Sequence, residues 1–224
     1  MKNLSNVKPE DFLLRCKGGF VENRKMIYKG VEYNIPYSTV TVGGERLEGL
    51  RENFKRFELY ERLISEHTTG RNSYLDVGCN LGVFVRNFSD MFNSVTGVDY
   101  ESYYIDQAKF LFEDLSDSFI LNDINATPLT SFLSEPFDVI TSNSMFEYIS
   151  DKERFANHLC SLTKEMCIVE GHSEDIHLGH DVKYEKILKE QDWDVTRINE
   201  TTDVGINAPE HTKNDGRPVW ICKK

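Results

Sequence analysis

The period of apolar positions changes near residue 70. Before it, the stretch GGFVENRKMIYKGVEYNIPYSTVTVGGERL sets Val, Ile, Tyr and Thr between glycines. That pattern predicts short strands or a hairpin. Residues 45–70 then carry Leu47, Leu50, Phe54, Phe57, Leu59, Tyr60, Leu63 and Ile64 at mostly three-and-four spacing, which predicts a helix closed by Gly70. Arg51, Lys55, Arg56, Glu58 and Arg62 fall on its other side and read as a solvated face. From Ser73 onward short apolar runs alternate with amphipathic ones. SYLDVG, SVTGVDY, DSFILND, FDVITSN and KEMCIVEG read as strands. GVFVRNFSDMF, ESYYIDQAKFLFEDL, a short TPLTSFL, DKERFANHLCSLT and HDVKYEKILKEQD read as helices. WDVTRINET and RPVWICKK follow as two strands joined by a loop, the pattern of an antiparallel hairpin at a sheet edge.

Strands alternating with helices imply an α/β domain with a largely parallel sheet. In such a sheet ligands bind beyond the carboxyl ends of the strands, so the polar residues at those ends carry the chemistry. Asp76, Gly78, Asn80 and Gly82 follow the first strand, Asp99 and Tyr100 the second, Asp123 and Ile124 the third. Asn143, Ser144, Glu147 and Tyr148 follow the fourth, and Glu170, Gly171 and His172 the fifth. The glycines permit positive φ and close backbone approach, and Asn is among the residues that tolerate the left-handed region best. A glycine turn alone is equally a tight strand-to-helix connection. Acidic strand ends at Asp99 and Asp123 shift the balance: the first suits paired ribose hydroxyls, the second an adenine amino group with Ile124 on the ring. The turn Gly78-Cys-Asn80-Leu-Gly82 lacks the third glycine of a dinucleotide cradle, which disfavours a pyrophosphate.

These motifs resemble those of the class I S-adenosylmethionine-dependent methyltransferases. LDVGCNLGVF is similar to their first motif in its G-C-N-x-G variant, VTGVDY to the ribose-binding acidic motif, and LNDINA to the adenine-contacting segment. FDVITSNSMFEYISDKERF is similar to their fourth strand and following helix. The resemblance runs over residues 72–170, and the last two strands suit the family's terminal hairpin. It implies a Rossmann-like seven-stranded sheet of order 3-2-1-4-5-7-6, the seventh strand antiparallel, with helices on both faces. It also implies S-adenosylmethionine as cofactor, held by Asp76, Gly78, Asn80, Gly82, Asp99, Tyr100, Asp123, Ile124 and Asn143. Residues 1–70 are then expected to form an N-terminal cap over the substrate and residues 71–224 the catalytic core. Many small-molecule members carry a Glu-His pair after the fourth strand; here it is Glu147-Tyr148.

Methyl transfer needs alignment and, for a hydroxyl acceptor, a place for the proton. EGHSEDIHLGHDVKYE follows the fifth strand and holds His172, His177 and His180 among carboxylates. His172 is the candidate base, with Glu147 and Glu170 as further catalytic candidates. Tyr37, Arg46, Tyr148 and His177 are candidates for substrate contact, with Tyr33, Arg51 and His211 behind them. No HExxH-like pattern marks a metal site. The net charge of −11 over 224 residues opposes a broad nucleic-acid surface. The five cysteines are scattered, without a CxxC pair, so reduced thiols, a cytoplasmic setting and no membrane contact are expected. The resulting expectation is an enzyme that methylates oxygen on a small hydroxylated metabolite such as a sugar or nucleotide-sugar. An RNA or protein methyltransferase on the same fold, and a non-catalytic cofactor-binding module, are the alternatives.

Overall fold

The computed structural model of the chain describes residues 6–15, 24–36, 38–50, 52–198 and 217–224. The N-terminal part runs through helix α1 (Pro9–Arg15), strands β1 (Lys25–Tyr28), β2 (Val31–Asn34), β3 (Val40–Val42) and β4 (Glu45–Leu47), and helix α2 (Phe54–His67). β1–β2 and β3–β4 are separate antiparallel ribbons. The chain continues through β5 (Ser73–Val77), α3 (Val83–Phe88), β6 (Ser94–Asp99), α4 (Ser102–Leu111) and β7 (Phe119–Leu121). β8 (Phe137–Asn143), α5 (Lys152–Leu162), β9 (Thr163–Glu170), α6 (Ser173–Leu178), α7 (His180–Lys189), β10 (Asp194–Ile198) and β11 (Val219–Lys223) complete it.

The central sheet has seven strands in the order β7-β6-β5-β8-β9-β11-β10. Counted from its own first strand, β5, that is the 3-2-1-4-5-7-6 order implied by the resemblance. β11 is antiparallel to both neighbours, and the remaining pairs are parallel. Side chains alternate across the pleat and sort into two cores. Tyr74, Val95, Val139, Ile168 and Val219 face one core, which α2, α3, α4 and the N-terminal ribbons cover. Leu75, Val98, Ile140, Cys167 and Trp220 face the other, covered by α5 and α7. The alternation has a consequence for chemistry. Asp76, Asp99, Asn143 and Glu170 share the parity of the first set, so the polar strand ends converge on the face that α2 covers.

Four sequence expectations are corrected. The helix expected over 45–70 begins only at Phe54, because Glu45–Leu47 pairs with β3 and Gly49 bonds back to Thr39. Arg56, read as part of a solvated face, is buried at 4% exposure. Its neighbours Lys55, Glu58 and Arg62 are exposed. Phe54, read as apolar face, is instead 52% exposed. The short TPLTSFL helix is a single 3-10 turn, Leu129–Ser131, whose C-cap Phe132 has left helical geometry. α1 and α6 were not anticipated.

Candidate functional site

Two adjoining cavities open at the carboxyl ends of the parallel strands. One, of about 340 Å³, is lined by Asp76, Asn80, Asn143 and His172 together with Ser38, Asn53 and Arg56 from the N-terminal part. The other, of about 260 Å³, is lined by Asn122, Asp123, Ile124 and Ile149. Gly78, Asp99, Tyr100, Met145 and Tyr148 line both.

The turn after β5 is shaped for close approach. Gly78, Asn80 and Gly82 all have positive φ. The Gly78 and Cys79 N–H groups donate to the Val98 carbonyl, which ties the turn to β6. A Cβ on Gly78 would stand 2.2 Å from Met145 Sδ, so a larger residue there would have to displace that thioether as well as hold a positive φ. Gly82 serves packing: a Cβ there would meet the Phe119 ring at 2.3 Å. Asn80 keeps its left-handed geometry by accepting the Leu81 N–H on its own Oδ1 at 2.8 Å.

Asp99 binds the turns on either side of it. Its Oδ2 accepts the Asn80 N–H at 2.8 Å and its Oδ1 the Glu101 N–H at 3.0 Å. Burial raises its pKa against those bonds. Asp76 sits deeper, accepting the Thr141 hydroxyl at 2.8 Å, and Thr141 in turn contacts the Tyr74 hydroxyl. Burial pushes Asp76 up to about 7, with the charge of Asp99 adding to the rise. In the smaller cavity Asp123 spends one oxygen on the Asn125 N–H at 3.0 Å. The Asn122 Oδ1 beside it is buried without a partner among the described residues.

A buried ion network closes the α2 side. Arg56 grips Glu170 with two bonds, Nε to Oε2 at 2.8 Å and Nη2 to Oε1 at 2.6 Å. Arg217 Nη1 reaches Glu170 Oε1 at 3.2 Å and also donates to Ser144 Oγ. The Tyr60 hydroxyl contacts Asn143 Oδ1 at 2.6 Å and Glu170 Oε2 at 3.1 Å. Glu170 is wholly buried and lines neither cavity.

The sequence candidates therefore divide. Asp76, Gly78, Asn80, Asp99, Tyr100, Asp123, Ile124, Asn143, Tyr148 and His172 all line the cavities. Gly82, Glu147, Glu170 and Arg46 do not. Glu147 is exposed on the turn after β8, and Arg46 pairs with Glu52 at 2.5 Å. Tyr33 packs in the core, and His180 lies 3.5 Å from Asp175. Tyr37, Arg51, His211 and the side chain of His177 lie outside what is described. Ser144, read as a polar end of the fourth strand, lines the larger cavity, and Ser38, Asn53, Arg56 and Met145 line the site without having been singled out for it. Arg56 had a legible signal, since it continues the stripe of Tyr60 and Leu63 at helical spacing. Among the described residues no group of His, Cys, Asp or Glu is arranged to hold a metal. No helix among them is long and apolar enough to cross a membrane.

Residues 75–167 match the model of a methyltransferase domain. No curated protein sequence matches the chain. Among solved structures, the fold is similar to that of an S-adenosylmethionine-dependent methyltransferase from Clostridium acetobutylicum ATCC 824. There the TM-score is 0.58 and the identity 14%, over 76% of this chain and 90% of that one. It is similar also to the N-methyltransferase NodS from Bradyrhizobium japonicum WM9 in complex with S-adenosyl-L-homocysteine, with TM-score 0.59 and 15% identity over 76% and 86%. A structure from Thermoplasma acidophilum aligns over 96% of both chains, with TM-score 0.54 and 14% identity.

Proposed function

We propose that this chain, which carries a class I S-adenosylmethionine-dependent methyltransferase domain, methylates an oxygen of a small hydroxylated metabolite such as a sugar or nucleotide-sugar. The observation that carries the reading is the double cavity hinged on Asp99. The smaller chamber has the apolar walls Val98, Ile124 and Ile149 and the Asn122 side-chain Oδ1, which has no partner among the described residues. It fits a flat heteroaromatic ring with an exocyclic amine. Asp99, reaching both chambers, fits the ribose hydroxyls between them. Asp76 in the larger chamber fits a ligand ammonium. S-adenosylmethionine has these parts in this order, and its sulfonium would supply an activated methyl group.

What remains of the larger chamber has an apolar side, formed by Val83 and Phe84, and a polar one. Ser38, Asn53, Asn143, Tyr148 and His172 form the polar side, and Arg56, the arginine among the described lining residues, is committed to Glu170 and Asn53. Such a lining suits hydroxyl groups. His172 is placed to take the acceptor hydroxyl's proton as its oxygen bonds to carbon. Glu170, enclosed by two guanidinium groups, is a positioning residue; it holds the ends of β8 and β9 against α2. Residues 1–70 act as a cap, since Ser38, Asn53 and Arg56 complete the wall of the chamber. The N-methyltransferase NodS, among the similar folds, raises nitrogen as the second candidate for the methylated atom.

Calorimetry with S-adenosylhomocysteine, paired with turnover on a panel of sugars and nucleotide-sugars, tests the reading. Asp99→Ala should weaken binding by roughly a hundredfold, two lost hydrogen bonds to a charged group. His172→Ala should slow turnover by about a hundredfold and leave that affinity within twofold. Undiminished turnover in His172→Ala would remove the base, and normal affinity in Asp99→Ala would remove the ribose site.

A further inference from the structure

The N-terminal part contributes a chain of hydrogen bonds whose direction is fixed from one end. A guanidinium can only donate. Arg56 Nη1 lies 2.8 Å from Asn53 Oδ1, so that oxygen accepts and the Asn53 amide orientation is determined. Asn53 Nδ2 must then donate onward, and it meets Ser38 Oγ at 2.9 Å. The Ser38 oxygen is thereby an acceptor toward Asn53, which leaves its proton to be placed elsewhere. Among the described residues no acceptor receives it. Ser38 is 2% exposed, Asn53 4% and Arg56 4%, so bulk water does not compensate. Both Ser38 and Asn53 line the larger cavity.

We propose that Ser38 is a specificity-determining hydrogen-bond donor for the methyl acceptor, aimed by the Arg56–Asn53 relay at an oxygen lone pair. The inference rests on the reading of the larger cavity as the acceptor's place. Glu170 anchors the relay at its far end, and the positive guanidinium polarises each bond toward Ser38, which strengthens the final donor. The site thus selects a hydroxyl or carbonyl oxygen at this position. It rejects an ammonium, which would face a proton where it needs an acceptor and leave a buried donor unpaired. The wall is neutral at this point, so recognition comes from the direction of a single bond.

The test uses the full chain saturated with S-adenosylhomocysteine and titrated with D-glucose, L-rhamnose and UDP-glucose, with D-glucosamine as the ammonium probe. Ser38→Ala should weaken the best oxygen probe by roughly tenfold, the worth of a buried hydrogen bond. Affinity for S-adenosylhomocysteine should stay within twofold. Asn53→Asp is the sharper variant. It keeps the shape and the contact with Arg56 but cannot donate, so the Ser38 proton turns toward residue 53 and a lone pair faces the cavity. It should weaken the oxygen probe as much as Ser38→Ala and raise relative affinity for D-glucosamine by about tenfold. Melting temperatures of both variants check that each is folded. Retention of oxygen-probe affinity in both variants would overturn the donor role and leave the functional reading standing. Loss of S-adenosylhomocysteine affinity in Ser38→Ala would reassign the donor to the cofactor and overturn it equally. If the wild-type chain binds none of the probes, reading and inference fall together.

Discussion

At the residue scale the informative group is Asp76. It is a carboxylate buried against Thr141 and Tyr74, with its pKa pushed up to about 7 by burial. In the unfolded chain it titrates near 3.8. The folded state therefore holds a proton that the unfolded state releases. The group's contribution to stability is fully present below the unfolded value and is lost as pH rises through about 7. Relative to Asp76→Asn, which does not titrate, wild-type stability should decline across that window; urea midpoints at a series of pH values measure it. A ligand ammonium beside Asp76 favours the opposite state. Affinity for S-adenosylmethionine should therefore rise by about tenfold between pH 6 and 8, as the carboxylate forms ahead of binding. A flat binding profile would place the ammonium elsewhere. The sequence displayed Asp76 plainly, but its protonation follows from the depth of its burial, which no local pattern encodes.

At the element scale α2 does two jobs with one face. Leu59, Leu63 and Ile64 are buried in the core while Arg56 and Tyr60 hold the end of β9 through Glu170. A buried carboxylate is tolerable only with its charge partners in place. Arg56→Ala should cost about 3 kcal/mol, read as a lower urea midpoint with unchanged slope. A cost below about 1 kcal/mol would mean that Arg217 alone satisfies Glu170. The role of this helix was half legible. Its apolar spacing was visible, and Arg56 lay within that stripe. An arginine at such a position reads as a stray from the solvated face until Glu170, far along the chain, is seen opposite it. Strand ends were easier to read, because the pleat of a parallel sheet delivers Asp76, Asp99 and Asn143 to one rim.

At the scale of the whole molecule, the N-terminal ribbons and α2 share one hydrophobic cluster with β5, β6, β8 and β9. Phe12, Val42, Leu47 and Leu63 pack in that same cluster as Tyr74 and Ile168. An N-terminal part packed this way loses its core contacts if it separates. Unfolding should accordingly be one transition, with calorimetric and van't Hoff enthalpies equal. Two resolved transitions would show residues 1–70 to be an independent unit. The net charge of −11 opposes a polyanion lying across the outside of the molecule.

The sequence by itself determined the alternation of strands and helices, the placement of acidic residues at successive strand ends, and the glycine turn that disfavours a pyrophosphate. These are local: they depend on the period of side-chain direction and on which residues tolerate positive φ. The resemblance carried by LDVGCNLGVF, VTGVDY and LNDINA implied the strand order that the sheet shows. Tertiary structure alone decided what each polar group is free to do. Glu170 and His172 stand two residues apart, yet one is enclosed by two guanidinium groups and the other lines the cavity. Ser38, in the stretch read as strands, and Asn53, in the stretch read as helix, are 15 positions apart and become one wall of the chamber through their bond to each other and that of Asn53 to Arg56. Charge pairing and hydrogen-bond direction depend on partners far apart in the chain, and only the fold brings those partners within reach.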